Sequence, residues 1–328
     1  MLRHEQTVMK LYPTADNPLP PGAECLELVT ADKIRLRALR AVPDEARGTV
    51  VLLGGRGDYL ERYFETAQDL MARGLAVASV DLRGQGGSQR SSPHIYRDAV
   101  TSFTHFDEDV RTLMDGLVIP TCPRPYYAVG HSTGAHVLLR VLRNNEWFRK
   151  AILVSPLIEI VYGPWPRPLA ALLVNSVCLA GFRSLFLPGI RKTPMGRADF
   201  PRNPLTSDRR RWDRDSGTLE AAPHLGLGGP TFGWLHAARR SLKEIAHMES
   251  PGAKLLIIGA GSDRVVGNEG IRQLARRLHG TALAFIPGAR HEILSERDEI
   301  RQQFLAAFDS FITTDGARLS GEAARTPG

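Results

Sequence analysis

The chain is poor in cysteine and lysine, and it lacks long apolar runs. Three cysteines in 328 residues, Cys25, Cys122 and Cys178, are too few and too scattered for a disulfide or metal framework. Residues 1–6 carry charge with no apolar core behind it, which argues against a secretory leader and for a reducing, cytoplasmic setting. No apolar run approaches the ~18–20 residues of a bilayer span. Aromatics make up only 7% of the chain and no nucleic-acid motif accompanies its basic charge, so a nucleic-acid partner is not expected. The glycine-rich stretch at 54–58 lacks the Gly-Lys-Ser/Thr ending of a phosphate-cradling loop. Nothing in the sequence calls for a cofactor or a metal.

What is present belongs to a globular protein, with 43% hydrophobic and 23% charged residues. The formal charge is +7, and nearly all the cations are arginine. Residues 156–250 hold 13 Arg and Lys against 8 Asp and Glu, so 13 − 8 = +5 of the net charge sits there. Two readings stand: an ordinary solvated surface, or a face that meets anionic lipid headgroups peripherally.

Residues 24–29 and 33–40 read as a hairpin, with Ile34, Leu36 and Ala38 alternating with Arg35 and Arg37 to give one apolar and one charged face. Continuous apolar runs at 49–53, 75–80, 126–129 and 151–154 read as buried strands, and the sheet resumes with strands at 253–258 and 282–286. Helical periodicity at 61–73, 97–117, 133–143, 269–278 and 297–311 falls between them or after the last. Such alternation implies an α/β fold, a mostly parallel sheet with helices on both faces. It is interrupted from 157 to 250, where nine prolines punctuate short apolar stretches. This predicts an inserted helical cap between core segments 24–156 and 251–313. Residues 1–23 form an extension, and the small, polar residues 314–328 a disordered tail.

Gly130-His131-Ser132-Thr133-Gly134 joins the strand at 126–129 to the helix at 133–143. A G-x-S-x-G in that setting is a nucleophile elbow: the glycines permit a tight turn with Ser132 at its apex. A serine hydroxyl needs a base, and the base needs an orienting acid. Asp263 follows the strand ending at 258 in a glycine-rich loop, and His291 follows the strand ending at 286 behind Pro287-Gly288. The order Ser, acid, His suits the elbow, with both partners on the carboxyl edge of the sheet. Asp81 is the rival acid, but it precedes the elbow. His131 should point away from the serine, and His136 should serve packing or a local hydrogen bond. The Thr133 amide, at the helix start, suits an oxyanion, and a second amide should come from Gly54-Gly55-Arg56-Gly57-Asp58.

Together with Asp81-x-Arg83-Gly84-x-Gly86-x-Ser88 and Gly288-Ala289-x-His291-Glu292, these residues resemble the α/β-hydrolase superfamily. The nearest likeness is to monoacylglycerol lipases and bacterial lysophospholipases, over residues 24–313. The resemblance implies Arg56 as the second oxyanion amide. Much of that family opens this loop with His-Gly, whereas Gly54-Gly55 here is closer to the lysophospholipase-like branch. It also implies a serine esterase acting on a small lipid ester through an acyl-enzyme, without cofactor. An acyltransferase, an aminopeptidase or a non-catalytic lipid- or partner-binding protein are the alternatives on the same fold. Leu169-Ala170-Ala171-Leu172-Leu173-Val174 and Val177-Cys178-Leu179-Ala180 are expected either to line an acyl pocket or to fasten the cap.

Overall fold

A computed structural model describes residues 9–92, 94–161, 166–194 and 199–313; the tail expected from residue 314 lies outside them. Eight strands make one sheet: β1 (Glu24–Val29), β2 (Arg35–Ala41), β3 (Thr49–Leu53), β4 (Ala76–Val80), β5 (Tyr126–His131), β6 (Lys150–Val154), β7 (Lys254–Ala260) and β8 (Ala282–Ile286). Their order is β1-β2-β4-β3-β5-β6-β7-β8. β2 pairs antiparallel with β1 and β4, and every later pairing is parallel. The chain moves from β3 to β4 on one side, then crosses to β5 on the other. That reversal opens a crevice at the carboxyl ends of β3 and β5, where ligands bind in open α/β sheets.

β3, β4, β5 and β6 are buried along their whole length, as their continuous apolar runs require. Alternate residues feed two cores. Val51, Leu53, Ala128 and Leu153 face α2 (Thr104–Leu113), α4 (Thr133–Leu142) and α8 (Asn268–Arg277). Val50, Leu52, Val129 and Ile152 face α1 (Phe64–Met71) and α9 (Asp298–Thr313), where Phe304 and Phe308 are buried. Each buried Val, Leu, Ile or Phe side chain among them contributes roughly 1.5–3 kcal/mol on burial.

The predicted helix at 97–117 begins instead at Thr104 and runs through a wide turn, Met114–Val118, into α3 (Ile119–Thr121). Its expected first turn is pulled straight because Asp98 is held by Arg56 and by the Thr231 hydroxyl at 2.8 Å. Between β6 and β7 lie α5 (Arg167–Leu179), α6 (Arg209–Ala221) and α7 (Phe232–Ile245). Asp208 caps α6 by accepting the Arg211 amide at 2.8 Å, and Thr231 caps α7 by accepting the Trp234 amide at 3.1 Å. Among the described residues, no helix is long and apolar enough to cross a membrane.

Candidate active site

Ser132 sits between β5 and α4 with φ 49° and ψ −112°, a conformation rare for a residue with a side chain. The flanking glycines explain why the turn closes. A Cβ on Gly134 would lie 2.3 Å from the Leu53 carbonyl oxygen, and one on Gly130 2.7 Å from Ala135 Cα. Main-chain bonds then fasten the turn. The Ser132 amide donates to Val154 O at 2.9 Å, and Ser132 O accepts from the His136 and Leu157 amides, both at 3.1 Å.

Three side chains distant in sequence meet here. His291 Nε2 is 2.9 Å from Ser132 Oγ, and His291 Nδ1 is 2.8 Å from Asp263 Oδ2. The other Asp263 oxygen accepts the Val265 and Val266 amides at 2.8 and 3.1 Å. Burial alone would raise the Asp263 pKa, but the His291 bond and these amides outweigh it and lower it. A carboxylate acceptor requires the proton on Nδ1, which leaves Nε2 free to take the serine proton. Asp81 is elsewhere: it receives Arg37 Nε at 2.7 Å and the Leu60 and Gly87 amides at 2.9 and 2.7 Å. The Asp81–Ser88 motif is thus a structural knot around buried Arg37, with Glu61 completing the pairing.

The amides follow from elimination. In the loop after β3, the Gly55 amide donates to Asp58 Oδ2 at 2.6 Å and the Gly57 amide to Gln85. The Arg56 amide has no acceptor among the described residues, nor has that of Thr133, the first residue of α4. Both residues line one cavity with Ser132 and His291. Gly55 lets the loop approach, since a Cβ there would be 3.3 Å from Ser132 Cβ.

That cavity has a volume of about 480 Å³. Its apolar wall includes Leu157, Ile160, Leu205, Trp212, Leu219 and Trp234. None of the residues from 169–174 or 177–180 lines it, which corrects the acyl-pocket expectation for that segment. The reason is periodicity: α5 spends its buried stripe, Ala170, Val174 and Cys178, on packing against α7.

Beneath the elbow lies a charged network that the sequence reading missed. His131 is buried, with Nδ1 3.5 Å from Asp58 Oδ2 and 3.7 Å from Glu292 Oε2. Its Nε2 donates to the main-chain oxygen of His291 at 3.2 Å. Burial opposes its charge, but Glu292 and Asp58 prevail and raise its pKa to about 9. Arg62 joins Asp58, Asp215 of α6 at 3.0 Å and Glu292 at 3.5 Å. Asp58, His131 and Glu292 could geometrically hold a metal ion. Arg62 and the charged imidazole already supply cations there, so the donor set does not fit one. A signal was available: Asp58, Glu61 and Arg62 interrupt a run, Tyr59-Leu60 and Tyr63-Phe64, that is otherwise suited to burial. His136, by contrast, is held neutral by burial, its pKa lowered to about 3. Its Nδ1 donates to Leu157 O at 2.8 Å, and its Nε2 lies 2.6 Å from the Ser241 hydroxyl.

A mostly parallel eight-stranded sheet carrying this serine turn at its switch point is the α/β-hydrolase fold. Residues 44–298 match the family described as serine aminopeptidase, S33. The chain belongs to that family, as a serine hydrolase of its lysophospholipase and monoglyceride lipase group. It is 29% identical over 298 residues to lysophospholipase L2 of Escherichia coli K12, covering 87% of this chain and 86% of that one. It is 27% identical to a monoacylglycerol lipase of Mycolicibacterium smegmatis, covering 78% and 86% of the two chains. A soluble variant of Saccharomyces cerevisiae monoglyceride lipase, solved with a substrate analogue, shares the fold with a TM-score of 0.68 at 18% identity, over 93% of this chain and 98% of that one.

Proposed function

We propose that the chain hydrolyses a carboxylic ester of a single-acyl-chain lipid through an acyl-enzyme formed on Ser132. The carrying observation is the continuous relay Ser132–His291–Asp263 opening on a largely apolar cavity. Ser132 Oγ attacks the ester carbonyl as His291 Nε2 takes its proton. The amides of Thr133 and Arg56 stabilise the oxyanion, and Asp263 stabilises the imidazolium. Collapse expels the alcohol, protonated by His291, and a water activated by the same imidazole then releases the fatty acid. Residues 157–250 act as a cap, supplying the outer wall of the cavity.

The charges in the cavity bear on the substrate. Arg56 is paired with Asp98 and bonded to Gly228 O at 2.8 Å, and Arg62 is surrounded by three carboxylates. An arginine already compensated gains little from a phosphate, so in this cavity Arg56 and Arg62 do not favour a phosphodiester headgroup over a neutral glycerol. The carboxylates lining it, Asp215 and Glu292, are engaged by Arg62, which leaves neither unpaired for the α-ammonium of an aminopeptidase substrate.

A panel of monoacylglycerol, lysophospholipid, aminoacyl arylamide and short p-nitrophenyl ester tests this. Turnover of the p-nitrophenyl ester and of monoacylglycerol is expected, falling to background in Ser132→Ala and roughly 10³–10⁴-fold in Asp263→Asn. Arylamide hydrolysis without ester hydrolysis would overturn the reading. Transfer of the acyl group to an added alcohol in preference to water would make the protein an acyltransferase.

A further inference from the structure

A buried carboxylate is costly to keep, and Asp98 is one that belongs neither to the Ser132 relay nor to the Arg62 network. It lies in the stretch before α2 and is not among the residues lining the cavity. Among the described residues its side chain has two hydrogen-bond partners. Oδ2 accepts from Arg56 Nη2, and Oδ1 accepts from the Thr231 hydroxyl at 2.8 Å. Arg56 belongs to the loop after β3. Thr231 caps α7, in the segment between β6 and β7.

The Arg56 side chain is held at several points. Nη1 donates to Gly228 O at 2.8 Å, and Nη2 donates to Gly229 O at 2.9 Å as well as to Asp98. The guanidinium also lies 5.2 Å from the centre of the Trp234 ring. A planar fork fixed by three acceptors and a ring face leaves its own Cα little freedom. The amides on either side of Arg56 are pinned as well. Gly55 donates to Asp58 Oδ2 at 2.6 Å, and Gly57 donates to Gln85, in the turn after β4. The free amide between them is therefore aimed by three attachments, and the guanidinium is the one that reaches the segment between β6 and β7. Gly228 is itself fastened, its amide donating to Tyr96 O at 2.8 Å. Residues 96–98 thus grip the arginine through a carboxylate and one of its acceptors through the main chain.

We propose that Asp98 is a positioning residue for the reaction. Through the guanidinium it holds the Arg56 amide in line for the oxyanion, and through Thr231 it makes residues 228–231 part of that support. The inference rests on the reading that this amide stabilises the oxyanion. A donor works there only within about 2.7–3.1 Å of the oxygen, so a small shift of the Arg56 backbone is felt in the transition state.

The test compares a short p-nitrophenyl ester with its thiono analogue, in which sulfur replaces the carbonyl oxygen. Sulfur is the weaker hydrogen-bond acceptor, so the thionoester draws less on the oxyanion amides. Asp98→Asn keeps an acceptor for Thr231 and turns the Arg56 contact into donor against donor. It should lower kcat/KM for the oxoester by about tenfold or more and for the thionoester much less, so that the ratio between the two collapses. Arg56→Met, which keeps the amide but loses the guanidinium, should do the same. Adding Asp98→Asn to it should cost little more, because both act through one side chain. An unchanged ratio in Asp98→Asn would overturn the proposal. Equal losses on both esters would overturn it too, since general loosening of the fold spares neither. Arg56→Pro, which deletes the amide, separates the two readings. An unchanged ratio there removes the oxyanion assignment itself; a ratio that collapses there but survives Asp98→Asn removes this inference alone.

Discussion

The backbone of Ser132, at positive φ, carries strain of about 1–3 kcal/mol that its surroundings must offset. Gly134 makes this possible by standing against Leu53 O, so Gly134→Ala must push α4 away from β3 or flatten the turn. Ester turnover is expected to fall at least about a hundredfold, because a displacement of about 1 Å at the chemistry has that effect. Steady-state kinetics checks it, and unchanged kcat/KM would show the turn to be tolerant. His131 gives a pH signature. Its folded pKa, about 9, lies above the 6.5 of an unperturbed imidazole. The stability it contributes is therefore complete below pH 6.5 and lost as pH rises through about 9, on the order of 3 kcal/mol. Urea midpoints across that window should decline in the parent chain, and His131→Gln should remove this component of the decline.

At the scale of elements, two loops from the carboxyl edge of the sheet meet each other and α6 through Arg62. It bridges Asp58 after β3, Glu292 after β8 and Asp215 of α6. Its charge survives burial because carboxylates surround it, and its pKa stays well above the ordinary value. Arg62→Met strands those carboxylates and should lower unfolding stability by about 3–5 kcal/mol, read by thermal denaturation. Adding Asp215→Leu should recover part of that loss; no loss at all would show the carboxylates to be solvated. The strands were legible because burial on both faces leaves a continuous apolar run, as at Val50-Val51-Leu52-Leu53. The elbow was legible because its chemistry is local. Arg62 was not, since two of its three partners, Asp215 and Glu292, come from distant segments. Nor was the start of α2, where Asp98 answers to Arg56 and Thr231 rather than to its own helix. The direction of the α5 leucines was equally hidden, because a helix apolar on both faces does not say which face is wet.

Across the whole molecule, the sheet brings Ser132, Asp263 and His291 to one edge, and the segment between β6 and β7 closes over them. The central claim is that this gathering makes one serine a nucleophile, and labelling with a fluorophosphonate probe tests it most directly. Intact-mass measurement followed by peptide mapping should find a single adduct, on Ser132, absent from Ser132→Ala and strongly reduced in His291→Ala. A parent chain that stays unlabelled, or an adduct on another serine, would contradict the account.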